Sequence, residues 1–288
     1  IANLGSQQYM STTTPSLDPM SFNYLSTFVR EKSAIVLEPN KAYLLESRLM
    51  PIARQNGLGS LPELVAQLQR PGSQSLGRQV VDAMTTNETS FYRDIHPFDA
   101  MKQQIIPELI KARQKDRALN IWSNACSSGQ EVYSIAMLLR EHFPELASWK
   151  LRLIASDLSS SVLEKARAGI FNQTEVNRGL PMQLMMKYFT RNGLQWQVNP
   201  EIRNSVEFME CNLIQAWPPQ LPKMDIIFLR NVLIYFDPAT KTTVLNKASA
   251  LLRPDGYLFL GGAESTMNLS VSLTRETIGK ATCYRPQR

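Results

Sequence analysis

Residues 120–136 read NIWSNACSSGQEVYSIA: an apolar start, a run of small polar residues, then apolar residues at helical spacing. That order describes a buried strand, a tight loop from Ser123 to Gly129 and a helix. The same texture recurs downstream. ALNIWSN, LRLIASD, MDIIFLRN and GYLFLGG are short apolar runs of buried-strand type, with helical patterns between most of them. Alternating strands and helices imply a parallel sheet covered on both faces, a doubly wound α/β fold. Such sheets bind ligands outside the carboxyl ends of their strands, near the point where strand order reverses, and the quoted loop follows the first strand.

Upstream the pattern changes. From Phe22 to about Ala100 apolar residues recur at helical spacing (FNYLSTFV, AYLLESRLMPIA, LPELVAQL, LGRQVVDAM), which predicts a small all-helical domain over 21–100. A further helix is expected around Phe98 to Lys115. Residues 1–20 are rich in Ser, Thr and Pro and read as an unstructured tail; Met10 is a candidate natural start, which would make the residues before it an appended remnant. The remaining residues, 101–288, form the sheet domain. Within it, Ile170 to Val206 interrupts the alternation with a short helix and two strand-like pieces, around Leu194 to Val198 and Ile202 to Phe208, and is expected to be a small antiparallel insertion.

Composition narrows the function classes. Cys126, Cys211 and Cys283 are too widely spaced for a disulfide framework or zinc cluster, and His96 and His142 are the only histidines, so reduced thiols and no structural metal are expected. No membrane-spanning run or export signal is visible, which predicts a cytoplasmic protein without direct membrane insertion. The net charge of +6 suggests acidic partners. However, no Lys/Arg run interleaved with aromatics appears, so nucleic acid is not the expected partner.

A dinucleotide site would place G-x-G-x-x-G after the first strand, where backbone must approach a pyrophosphate. The sequence SNACSSG keeps side chains small but lacks those glycines, which favours a nucleoside ligand without phosphate: S-adenosylmethionine. Glu131 could meet a ligand ammonium or favour the helix dipole. Asp157, at the tip of IASD, could hold a ribose diol or cap the next helix. Asn212 of CNLI could hold an adenine edge or make a turn. Arg230 and Asn231 end the strand MDIIFLRN, and a guanidinium there requires a partner, which the cleft would supply.

WSNACSSGQEVYSIA, IASDLSSSVLEKARAGIF, CNL, FLRNVLIYFD and RPDGYLFLGGAES, together with TTNETSFYRD in the helical region, closely resemble the CheR-type chemotaxis receptor methyltransferases. The likeness runs from about Phe22 to Tyr284. It implies a class I methyltransferase domain with a Rossmann-like sheet, a small antiparallel β-subdomain over 170–206 and an N-terminal helical domain. The implied activity is transfer of a methyl group from S-adenosylmethionine to glutamate side chains on the cytoplasmic helical bundle of chemoreceptors, giving glutamyl methyl esters and S-adenosylhomocysteine. It implies that Asn87, Thr89 and Arg93 reach from the helical domain over the cofactor, with Arg93 nearest the transferred methyl. Glu131, Asp157, Asn212, Leu213, Arg230 and Asn231 would be cofactor contacts, Asn212 and Leu213 on the adenine side. Tyr235 resembles a tyrosine beside the methyl.

Two features depart from the family pattern. KAYLLESRLMPIARQNG resembles a receptor-facing basic helix and keeps Arg48 and Arg54. Yet Pro51 and Ile52 stand where further basic residues are often found, and Pro51 is expected to bend or end the helix. The insertion's turn RNGLQWQVNPE is short, which favours a member that does not depend on a receptor C-terminal pentapeptide. Other readings are a nucleic-acid methyltransferase, which would want a basic aromatic groove, and a catalytically silent module that binds S-adenosylmethionine. A dehydrogenase is disfavoured by SNACSSG.

Overall fold

The structure is a computed structural model that describes residues 17–287. Most of the expected tail therefore lies outside the described residues, although helix α1 (Pro19–Ser33) already starts within it. The chain forms two compact units. Among the described residues one holds 17–32 and Val36–Met84; the other holds Ser33–Ile35 and 85–287.

The first unit is helical: α1, then α2 (Ala42–Gln55), α3 (Leu61–Leu68) and α4 (Gln74–Met84). Buried Leu45, Leu49 and Ala53 fall on one stripe of α2, as the apolar spacing requires. Ser60 accepts the Glu63 N–H and starts α3. Of the two outcomes expected at Pro51, a bend or an end, the helix end does not occur. The helix runs on to Gln55, because Ala53 is fully buried and Asn56 closes the last turn, its backbone N–H donating to the Ala53 carbonyl and its Nδ2 to that of Ile52. Arg48 donates to the Met84 carbonyl at 2.9 Å, which gives it a structural task at the end of α4.

The second unit begins with α5 (His96–Ala100), a π turn over Met101–Ile105 and α6 (Ile106–Ala112), so the helix expected from Phe98 to Lys115 is a composite that starts earlier and stops sooner. Then come β1 (Ala118–Asn124), α7 (Gln130–His142), β2 (Lys150–Asp157) and α8 (Ser160–Ala168). The insertion follows, with β3 (Ile170–Asn172), α9 (Gln173–Asn177), α10 (Met182–Tyr188), β4 (Phe189–Asn192), β5 (Gln195–Val198) and α11 (Pro200–Arg203). The chain returns to the main sheet with β6 (Val206–Glu210), β7 (Met224–Leu229), α12 (Pro238–Leu251), β8 (Leu252–Leu260), β9 (Leu273–Ile278) and β10 (Ala281–Pro286).

The main sheet has the order β6-β2-β1-β7-β8-β10-β9. Its first five strands are parallel, and β10 and β9 close it as an antiparallel hairpin that the sequence reading did not anticipate. After β6 the chain crosses back past β1 to β7, so strand order reverses between β1 and β7. A small antiparallel sheet, β3-β5-β4, makes the expected insertion. One of its two predicted strand pieces is misplaced: Ile202 lies in α11, and Val206 onward pairs with β2 in the main sheet. Pro200 at the first helical position and the Asn199 preceding it start that turn.

Alternate residues of each strand face opposite layers. Ile121, Ala155, Ile226 and Phe259 pack with Val132, Ile135 and Met101 of the helices on one face, while Trp122, Ile154, Ile227 and Leu258 pack with Val244, Leu245 and Ala248 of α12 on the other. A buried ion pair ties the layers together behind the sheet. Arg113, just after α6, donates through Nε to Asp225 at 2.8 Å and reaches Asp255 with both Nη atoms (2.9 and 2.5 Å), and Asp225 also accepts the Asn120 N–H at 2.8 Å. Asp225 is completely buried. Removing it leaves the buried Arg113 Nε and the Asn120 N–H without their acceptor, although Asp255 still holds the Nη atoms, so Asp225→Ala is expected to lower unfolding stability by about 3 kcal/mol. Asp255→Ala, whose side chain is 39% exposed, should cost far less. Urea denaturation of the two variants measures both.

Candidate active site

The register of the parallel strands sets the site. Asn124 of β1 lies beside Ser156 of β2 and Leu229 of β7, and Asp157 of β2 lies beside Glu210 of β6. Four strands therefore end along one line, and the segments that follow them emerge together at the reversal of strand order. There an open cleft encloses about 880 Å³, part of it open to solvent, within the range of small-molecule sites.

All ten residues singled out in the sequence line this cleft: Asn87, Thr89, Arg93, Glu131, Asp157, Asn212, Leu213, Arg230, Asn231 and Tyr235. Asn87, Thr89 and Arg93 do not reach over from the helical unit, as the resemblance implied. They belong to the unit that carries the sheet, because the helical pattern stops at Met84 and Tyr92 N–H donates to Ser134 Oγ of α7 at 3.0 Å. Ser33, the last residue of α1, and Ile35 also line the cleft, and nothing in their sequence signals it.

The loop after β1 is bent by left-handed residues. Ala125 and Ser127 have φ of 49° and 51°, and Gly129, at 94°, precedes the first turn of α7 where glycine alone is comfortable. The loop's amides are largely taken: Cys126 N–H by Ser156 O, Ser127 N–H by Asp157 Oδ2 at 2.8 Å, and Gly129 N–H by Cys126 O. A loop whose donors are spent internally is poorly equipped to cradle a pyrophosphate. It suits a nucleoside without phosphate. Small side chains keep the approach open, and Ser127 Oγ donates to Asn87 O at 2.9 Å, tying the segment 85–93 to the loop.

Asp157 does not cap α8; Ser159 holds the N-cap position. The Asp157 carboxylate accepts Ser127 N–H on one oxygen and Ser159 N–H on the other at 3.0 Å. A carboxylate oxygen can accept more than one hydrogen bond, which is the chemistry a diol calls for. On the neighbouring segment Asn212 Oδ1 accepts the Ile214 N–H at 3.2 Å, and Leu213 O accepts from Trp217 Nε1 and Lys247 Nζ.

Glu131 and Arg230 form the charged floor. Glu131 accepts Ser123 Oγ–H at 2.8 Å and Arg230 Nη1 at 2.8 Å, so its charge belongs to the scaffold. Arg230 finds its partners in the protein rather than in the cleft alone: Nη2 donates to Asp94 Oδ2 at 2.6 Å and to Arg93 O at 3.0 Å. Asp94, absent from the expected set, completes this pair. Arg230 Nε is buried with no partner among the described residues, leaving one donor unused by the protein. Burial pushes the Cys126 thiol well above its ordinary value, with the Asp157 and Glu131 carboxylates adding to the rise, so this cysteine is no nucleophile.

Comparison with known proteins agrees with this geometry. Residues 20–85 match the CheR methyltransferase all-alpha domain, and residues 87–279 match the CheR methyltransferase SAM binding domain. Chemotaxis protein methyltransferase 1 of Pseudomonas aeruginosa is 44% identical over 252 residues, covering 86% of this chain and 91% of that protein. Chemotaxis protein methyltransferase Cher2 of Pseudomonas putida is 41% identical, with 87% and 92% covered, and a chemotaxis protein methyltransferase of Vibrio parahaemolyticus is 37% identical, with 90% and 94% covered. The matches span both units, and the cofactor of the matched domain is the phosphate-free nucleoside that the loop suits. This chain belongs to the CheR methyltransferases, S-adenosylmethionine-dependent enzymes of chemotaxis.

Proposed function

We propose that this protein methylates glutamate side chains on the cytoplasmic helical bundle of chemoreceptors, producing glutamyl methyl esters and S-adenosylhomocysteine. The observation that carries the reading is the convergence of all ten expected residues on one cleft at the strand tips of a chain matched to the CheR family over residues 20–85 and 87–279. S-adenosylmethionine supplies a methyl group already activated on a sulfonium. A glutamate carboxylate is ionised at neutral pH, with a reference pKa of about 4.3, and needs no general base. The protein's task is orientation and exclusion of water.

In this reading Asp157 accepts the ribose hydroxyls, Asn212 and Leu213 face the adenine, and Asn87, Thr89, Glu131, Arg230 and Asn231 complete the cofactor's surroundings. Arg93 is half-buried in the cleft wall, with Nη1 donating to Glu88 O at 2.9 Å, and orients the incoming carboxylate. That bond takes one donor and leaves the fork free to direct rather than to neutralise. Tyr235 supplies a second donor.

The domain division is part of the same proposal, with a leading tail, a helical domain and a methyl-transfer domain, the boundary lying at Thr85 rather than at the expected 100/101 because the two compact units divide there. The protein works in the cytoplasm; among the described residues no helix is long and apolar enough to cross a membrane. Receptor binding does not depend on a C-terminal pentapeptide, a reading supported by the two-residue turn Gly193–Leu194 between β4 and β5.

Incubation with labelled S-adenosylmethionine and receptor-bearing membranes is expected to label the receptor, and mild base should release the label as methanol. Base-stable label would point to a different acceptor atom, and no label to a silent binding module. Calorimetry with S-adenosylhomocysteine should show at least about 10-fold weaker binding for Asp157→Ala than for the native chain, the scale of two lost hydrogen bonds; equal affinity removes Asp157 from the ribose role. Receptors lacking their last residues should be labelled at the same rate as intact ones.

A further inference from the structure

Asn231 and Tyr235 stand on a short turn that leaves β7, and neither could line the cleft if that turn drifted. Asn231 has a φ of 59°, and Leu233–Tyr235 makes a single 3-10 turn. A non-glycine residue in the left-handed region is strained and persists only where its surroundings hold it. What holds this one is a carboxylate. Glu264, from the segment after β8, accepts Asn231 N–H at 2.8 Å and Gly261 N–H at 2.7 Å on Oε2, and Ile234 N–H at 3.2 Å on Oε1. Its own N–H donates back to Gly261 O at 2.9 Å. The two segments meet closely: a Cβ on Gly261 would lie 2.5 Å from Asn231 Nδ2, so only glycine permits the approach.

We propose that Glu264 is a positioning residue for methyl transfer, fixing the turn from Asn231 to Tyr235 so that the Tyr235 hydroxyl is presented to the cleft. The inference rests on the donor role proposed above for Tyr235. Three backbone donors on one carboxylate are charge-assisted bonds, stronger and shorter than neutral ones. Glutamine at this position would keep one acceptor oxygen and turn an amide NH₂ toward a backbone N–H; alanine would keep nothing. Misplacement of a reacting group's neighbours by about 1 Å can cost on the order of 100-fold in rate. Glu264 also lines the neighbouring groove beside Arg275 and Lys280, so the rival role is direct contact with the acceptor.

Steady-state methyl transfer by the full chain, with receptor varied at saturating cofactor, separates these roles. Glu264→Ala is expected to lower kcat about 10- to 100-fold with KM for receptor nearly unchanged, and Glu264→Gln, which is isosteric and should fold where alanine does not, to fall between it and the native enzyme. Combined with Tyr235→Phe, either substitution should cost much less than it does alone, because the hydroxyl it positions is already gone. An additive cycle on a slowed Tyr235→Phe enzyme overturns the inference while leaving the role of Tyr235 intact. A raised KM with kcat preserved, or a lowered Tm with kcat preserved, overturns it too. A fully active Tyr235→Phe enzyme removes the donor role itself, and the inference with it.

Discussion

The site depends on one buried cation. Arg230 has a side chain only 2% exposed, and a guanidinium in that position is tolerable only with anionic partners at hydrogen-bond distance. It has two, Glu131 from the first turn of α7 and Asp94 from the segment before α5, and it takes the carbonyl of Arg93 as well. Three parts of the chain that are far apart in sequence are thereby fixed around the tip of β7. The order of the strands decides where this happens. Because β7 lies beside β1 rather than beside β6, its last residues emerge opposite the loop after β1, and the cation that needs neutralising sits where a ligand must bind.

Backbone strain gathers at the same place. Among the described residues nine non-glycine positions have φ between 29° and 62°, and six of them (Ala34, Tyr92, Asp94, Ala125, Ser127 and Asn231) line the cleft or flank residues that do. Each such conformation costs on the order of 1–3 kcal/mol and survives where tertiary bonds over-determine it. The bonds are identifiable. Ser134 holds the Tyr92 amide, Asp157 holds the Ser127 amide, and Glu264 holds the Asn231 amide, each through a side chain accepting a backbone N–H. The cleft is thus built by acceptors on the scaffold gripping irregular loops, which leaves those loops rigid without giving them helical or strand structure.

This explains what could be read in the amino-acid sequence and what could not. The parallel strands are visible because burial on both faces turns them into unbroken apolar runs, and their carboxyl ends mark where the cleft lies. The ten residues around that cleft are legible as motifs. The partners that make them work are not: Asp94 acts through a pair with Arg230, 136 positions away, and no local pattern announces it. The C-terminal hairpin was missed because β9 reads LTRETI, with four of its six residues polar, as an edge strand facing solvent can be. Ile202 was read as strand because apolar spacing over so few residues fits either period, and the Asn-Pro pair before it decided for helix. Pro51 was expected to bend or end α2; it does not end it, because a local penalty of about 3 kcal/mol is outweighed when the following turn carries a fully buried residue.

The make-up of the cleft bears on the chemistry it can perform. None of the residues lining it is a histidine, the thiols of its two cysteines, Cys126 and Cys211, are pushed up by burial, and its three acidic side chains, Glu88, Glu131 and Asp157, are already engaged by backbone, hydroxyl or guanidinium donors. A site arranged this way is poor at taking a proton from an alcohol, an amine or a thiol at neutral pH. It is adequate for an acceptor that arrives as an anion and needs no deprotonation, which a glutamate side chain does. Methyl transfer to carboxylate asks for fixed donors, a shaped wall and little water, and those are what rigid loops around a buried arginine provide.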